Sequence, residues 1–151
     1  MFSLFKKKEF FSAVQKEKIV AAIRSMEQET SGEIRVYVES KNPYMDPVDR
    51  AKEIFFRLKM QDTEHRNGVL LYIATQHKEL ALFGDEGIYK AAGADYWNNA
   101  VKDMLSHFRG DDICEGMVQC IRQVGETLKE KFPYNKTDDK NELPDDIVFG
   151  N

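Results

Sequence analysis

What the sequence has little of narrows the field first. Its 151 residues include two cysteines, Cys114 and Cys120, and both fall in what reads as a single helix. The helical rise between them, ~9 Å, exceeds the usual Cα separation of a disulfide. They are therefore read as buried, reduced thiols. Neither has a histidine or a further cysteine at ligand spacing, so a zinc site has no support. No uninterrupted stretch of ~18 apolar residues occurs, which excludes a transmembrane helix. Positive charge is not in surplus either. The formal net charge is −4, which argues against nucleic acid as a partner, because a phosphate backbone is met by an excess of Lys and Arg on one face.

Other absences bear on chemistry. The sequence has no Walker motif, no Gly-x-Gly-x-x-Gly and no EF-hand spacing. Nothing nominates the nucleophile, base and orienting group of a catalytic triad. There is no internal repeat and no Gly/Ser-rich linker. The segment Met1–Phe11 places its hydrophobic residues and its basic run in the wrong order for a signal peptide, so the expected address is the cytoplasm. That segment is also too small to form a stable membrane anchor.

What is present describes a folded domain. With 42% hydrophobic and 32% charged residues, the composition is that of a globular chain with a well-solvated surface. The length suits one domain, since roughly 100–200 residues sustain a single core. Ser12 and Gln15 form a capping-box pattern, and Ile19, Ile23 and Met26 recur at helical spacing, which predicts a helix over residues 12–30. Residues 33–39 then alternate, with Ile34, Val36 and Val38 on one side and Arg35 and Tyr37 on the other, as in a strand. Asp46-Pro47 opens a second helix with Ala51, Ile54, Phe55 and Leu58 as its buried stripe. The run Val69–Ala74 is apolar on both faces and reads as a central strand covered above and below. A short turn at residues 75–78 leads to a third strand, residues 79–83. Two helices follow, one opening at Asp95 with Trp97, Val101, Met104, Leu105 and Phe108 on a face, the other capped by Asp111 or Asp112 and barred from continuing by Pro133.

Strand, crossover helix and second strand imply parallel pairing, whereas the tight turn makes the third strand antiparallel. The expected organisation is an N-terminal basic and aromatic segment (1–11), an α/β domain (12–132) and an acidic, largely disordered tail (133–151), whose apolar end, Leu143–Phe149, docks on the body or on a partner groove.

The order and spacing of several segments resemble the TPM domain family, described as phosphatase-like. They are Gly32-Glu-Ile-Arg-Val-Tyr-Val38, Ala51–Phe56, Asn67-Gly-Val-Leu-Leu-Tyr-Ile-Ala74, Glu79–Gly87 and Phe108-Arg-Gly-Asp-Asp-Ile-Cys-Glu-Gly116. The resemblance spans residues 10–132 and implies a three-layer α/β/α sandwich, a small mixed sheet flanked by about four helices. It also implies binding of divalent cations, Ca2+ or Mg2+, and weak phosphatase activity. Many members carry Gly-Tyr-Gly-x-Glu after the third strand. This chain has Gly84-Asp-Glu-Gly87 instead, which moves the acidic ligand to Asp85 or Glu86.

Strand directions bring the start of the first strand, the loop before the second and the end of the third to one pole of the sheet. That pole collects Glu33, Asp62, Glu64, Asn67, Asp85 and Glu86. Crowded carboxylates repel, and a hard cation with oxygen ligands relieves them. The candidate metal ligands are Asp85, then Asp62 and Glu64, then Glu33 and Asn67. Against this stands the general preference of Asp and Glu for loops and helix starts. Arg66 either neutralises the acidic loop or holds a phosphate through its planar fork. The opposite pole gathers Glu39, Ser40, Asp46, His77, Asp111 and Asp112, with His77 read as a solvated turn residue.

Two functions follow. One is a monomeric, metal-dependent interaction module that recruits a protein partner. The other is a metal-dependent phosphatase acting on phosphomonoesters, with the cation polarising a phosphoryl oxygen.

Overall fold

The computed structural model describes residues 10–43, 46–106, 112–134 and 147–150. Phe108 and Asp111, singled out above, lie outside the described residues, as do residues 1–9 and most of the tail. The element order is α1 (Ala13–Glu27), β1 (Glu33–Glu39), α2 (Pro47–Arg57), β2 (Gly68–Ala74), β3 (Glu79–Gly84), α3 (Glu86–Ala92), α4 (Ala94–Ser106), α5 (Ile113–Lys131) and β4 (Ile147–Phe149).

Local sequence sets most of these boundaries. The Ser12 hydroxyl accepts from the Gln15 amide while the Gln15 side chain accepts from the Ser12 amide, the reciprocal capping box anticipated from sequence. Asp46 caps α2 by accepting from the Val48 amide, with Pro47 in the first turn. Asp112 caps α5 by accepting from the Glu115 amide. Helix α1 stops at Glu27, short of the expected Thr30. The hydroxyl of Thr30 instead donates to the Phe132 carbonyl, tying the end of α1 to the end of α5.

The strands form one sheet in the order β3-β2-β1-β4. β1 and β2 run parallel, Glu33 opposite Gly68 through Glu39 opposite Ala74. β3 runs antiparallel to β2, Val69 opposite Gly84. Both directions agree with the sequence argument. Two elements go beyond it. Helix α3, of 7 residues with Gly87 in its first turn and Gly93 as its C-cap, is too short for a periodic stripe to show in the sequence. β4, of 3 residues, arises from the apolar end of the tail and pairs parallel with Val36–Val38.

The sheet is covered unequally. Residues Ile34, Val36, Val38, Val69, Leu71, Ile73 and Leu82 pack with side chains of α1, α3, α4 and α5 in the larger core. On the other face Tyr37, Leu70, Tyr72, Ala74 and Ala81 meet Ala51, Ile54 and Phe55 of α2 in a smaller one. The result is a three-layer α/β/α sandwich in which, among the described residues, four helices cover one side and one the other. Cys114 and Cys120 are buried and unbridged, and burial pushes the Cys120 thiol up to about 12, which leaves it inert.

Candidate functional site

The pole predicted from strand direction exists, and backbone bonds build it. The Glu33 amide donates to the Asn67 carbonyl at 3.3 Å, and the Asp85 amide donates to the Gly68 carbonyl at 3.0 Å. These two bonds bring the start of β1, the loop before β2 and the end of β3 together. The Gly87 amide donates to the Arg66 carbonyl at 2.8 Å. A Cβ on Gly87 would sit 2.1 Å from the His65 carbonyl oxygen and 2.6 Å from that of Arg66. Glycine at 87 is what lets the loop lie against the first turn of α3.

Arg66 is at the centre of this arrangement. Its Nε and Nη2 donate to the two carboxylate oxygens of Asp85 at 2.8 and 2.9 Å, and its Nη1 reaches Glu86 at 2.6 Å. Such fork-to-fork bonding is the strong, directional form of an Arg–carboxylate contact. Asp85 also accepts from the Glu86 amide at 2.8 Å, capping α3. Hydrogen bonding to Asp85, with the charges of Glu86 and Asp62 nearby, raises the pKa of the guanidinium. Arg66 holds its backbone in the left-handed region, φ 51°, at a cost of about 1–2 kcal/mol for a residue with a Cβ. The three charge-assisted bonds and the carbonyl bond to Gly87 hold it there.

The predicted residues thus separate. Asp85 is buried at the centre, its carboxylate engaged by Arg66, and Asp62 is an exposed charge close enough to act on the same guanidinium. Asn67 is buried and its side-chain amide donates to the Ser31 hydroxyl at 3.4 Å. Glu33 is buried at the head of β1. Glu64 is exposed in the loop. Two neutral oxygens in that loop, Gln61 Oε1 and Thr63 Oγ1, are enclosed without a hydrogen-bond partner among the described residues. The donor chemistry is that of a hard cation, oxygen throughout. Among the described residues, however, no group of three or more His, Cys, Asp or Glu is disposed to hold a metal ion. The carboxylates meet on Arg66 instead.

The opposite pole holds a second charged constellation that the sequence reading did not assemble. Arg50 on α2 donates through Nε and Nη2 to Glu39 at 2.8 and 2.9 Å and through Nη1 to Glu53. Tyr72 donates its hydroxyl to Glu39. Burial by itself would raise the Glu39 pKa, but hydrogen bonds from Arg50 and Tyr72 outweigh it and the net shift is downward. The Tyr72 phenol moves up, through burial and then the adjacent carboxylate. A signal was available: Arg50 is four positions before Ile54 on the stripe of α2, and Glu39 alternates with Tyr37 on the face that α2 covers. His77 lies at this pole as an exposed turn residue, and its Nδ1 accepts from the Asn42 amide at 3.2 Å.

A mixed sheet between unequal helical layers, with an acidic pole closed by an arginine, defines a three-layer α/β/α domain with a cation-clamped loop cluster. Comparison with known proteins gives it a family. A family model for the TPM domain matches residues 4–127, and the chain belongs to that family. Among solved structures, the chain is similar to the BA42 protein of the psychrophilic bacterium Bizionia argentinensis, solved by NMR, with TM-score 0.84 and 39% identity over 96% of this chain and 99% of that one. It shares its fold with the N-terminal domain of a protein from P. gingivalis, with TM-score 0.62 and 16% identity over 81% and 78% of the two chains. The comparison with curated proteins gave no match. No helix among the described residues is long and apolar enough to cross a membrane.

Proposed function

We propose that the chain is a divalent-cation-responsive interaction module in which Ca2+ or Mg2+ competes with Arg66 for the acidic pole. The observation that carries this reading is the bidentate grip of Arg66 on the buried Asp85, with Glu86 on its third nitrogen and Asp62 close by. A side-chain cation holds the position that carboxylates from the loop before β2 and from the β3–α3 junction require to be filled. The unspent oxygens of Gln61 and Thr63 flank Asp62 in the same loop and supply neutral donors of the kind hard cations take. Asp85 and Asp62 are the leading ligands, with Glu64, Glu33 and Asn67 completing the shell by loop adjustment. The cation would order the loop between α2 and β2 and so set the surface offered to a protein partner.

Phosphomonoester hydrolysis is the second reading, favoured by the partial exposure of the Arg66 side chain, 36%. It is subordinate to the first. A phosphate can recruit Arg66 only after Asp85 has another counter-charge.

Titration of the isotopically labelled chain with Ca2+ or Mg2+, followed by amide and arginine Nε–H resonances, tests the proposal. Shifts are expected to concentrate at Asp62, Glu64, Asp85 and the Arg66 side chain. Equal shifts at remote exposed carboxylates such as Glu17 and Glu130 would mean diffuse counterion binding and defeat the reading.

A further inference from the structure

β4 is seated on the sheet as a bound peptide would be. Its register places Ile147 beside Val36, Val148 beside Tyr37 and Phe149 beside Val38, and the Gly150 amide adds a bond of 2.7 Å to the Val38 carbonyl. Alternate side chains enter different layers. Ile147 packs against the larger core and Val148 against the smaller one. The Phe149 ring lies under the Lys16 ammonium, 5.2 Å from nitrogen to centroid, within the range of a cation–π contact. Gly150 meets the edge of Tyr37, where a Cβ would come 2.2 Å from the hydroxyl oxygen and 2.7 Å from Cζ. Tyr37 has little room to retreat, being buried and stacked on Tyr72 at 6.3 Å.

Each of the four positions therefore carries its own selection, namely two aliphatic side chains, an aromatic one and the absence of a side chain. That is the logic of strand addition, in which main-chain bonds hold an extended segment and pockets for alternate side chains choose it. The hold is also limited. β4 pairs over 3 residues, Ile147 and Val148 are half-buried, and Phe149 is 48% exposed. Residues 135–146 join it to the rest of the chain, so it is tethered through a long connection.

We infer that the outer edge of β1 is a receptor for an extended segment of a partner protein, running parallel to β1 and carrying aliphatic, aliphatic, aromatic and glycine residues in that order. Residues 147–150 are its resident occupant. The partner competes with a tethered strand whose effective concentration is on the order of millimolar, so binding to the unaltered chain is weak until the resident leaves.

The test uses the full chain carrying Gly150→Val, which sets a side chain against Tyr37, and a synthetic peptide spanning residues 143–151 with the original glycine. The peptide is expected to bind this variant at least tenfold more tightly than it binds the unaltered chain. It should return the Val36, Tyr37 and Val38 amide resonances towards their original positions, and a peptide bearing the same Gly150→Val change should not. Failure of the glycine peptide to bind a folded Gly150→Val chain, or equal binding of both peptides, overturns the inference. Hydrogen exchange in the unaltered chain gives an arm that needs no variant. The Gly150 amide should exchange at least 100-fold faster than the Leu71 amide in β2, and equal protection would show a strand that never leaves. Concentration-dependent dimerisation abolished by Gly150→Val would assign the edge to a second copy and overturn the partner reading.

Discussion

Arg50 and Arg66 make the same bonds in different surroundings. Each donates Nε and Nη2 to one buried carboxylate and Nη1 to a second, more exposed one, at opposite ends of the same sheet. The Arg50 side chain is 9% exposed against 4% for Glu39, whereas Arg66 is 36% exposed against 3% for Asp85. Glu39 also takes the Tyr72 hydroxyl from β2, so its pair bonds to helix and sheet at once. Among the described residues, Asp85 receives the amide of its own helix besides Arg66 and no other donor. An enclosed pair fixes α2 on its face of the sheet. A pair open to water on the arginine side is the one on which the proposed competition with Ca2+ or Mg2+ rests.

Breaking the enclosed pair should have the largest effect. Arg50→Met leaves the Glu39 carboxylate buried with the Tyr72 hydroxyl as its remaining side-chain donor among the described residues, and truncation of one member of a buried pair costs about 3–5 kcal/mol. Urea denaturation should show that loss. The double variant Glu39→Leu/Arg50→Met should recover most of it, because removing both charges also removes the cost of burying them. A single-variant loss below ~1 kcal/mol, the range of exposed pairs, would erase the distinction between the two poles.

The open pair should give a smaller loss, with a difference in kind. Arg66→Gln leaves Asp85 buried with the Glu86 amide and costs about 1–3 kcal/mol, the range for an under-satisfied buried acceptor. The same change relieves nothing in the backbone, since glutamine at φ 51° is as strained as arginine. Ca2+ or Mg2+ at a few times its dissociation constant should restore roughly 1 kcal/mol of this loss by mass action. It should restore none of the Arg50→Met loss. Thermal midpoints of both variants with and without the ions decide the matter, and identical responses would leave Arg66 a structural residue only.

The contrast also accounts for what the sequence could reveal. Period-two alternation in residues 33–39, the apolar run Val69–Ala74 and the caps at Ser12, Asp46 and Asp112 are local patterns, and each becomes the predicted element. The acidic pole was legible because strand direction alone brings Glu33, Asn67 and Asp85 to one end. Its closure by Arg66 was left open, since side-chain pairing across the chain depends on a left-handed residue and on a glycine at 87 that lets two backbones touch. The Glu39–Arg50–Tyr72 cluster was missed for a related reason. Its members come from β1, α2 and β2, and a charge on an apolar stripe signals burial without naming its partner. β4 left a faint trace because 3 residues are too few for alternation to show.

Acidity should separate the pair from its exposed neighbour. The folded pKa of Glu39 lies below its ordinary value, so the stability it contributes is fully present above the unfolded pKa of about 4.3. It is lost as pH falls through the folded pKa, while Arg50 stays protonated throughout. The urea midpoint should decline as pH falls below about 4, and Glu39→Gln should flatten that decline after lowering the midpoint at neutral pH. The smallest effect belongs to Glu53, whose side chain is 44% exposed. It contacts Arg50 and, at 3.2 Å, Arg57, yet water screens both contacts. Glu53→Gln should cost less than about 1 kcal/mol in urea denaturation at neutral pH. A larger loss would show that Arg50 depends on its outer carboxylate as much as on Glu39, and that enclosure alone does not set the strength of the lock.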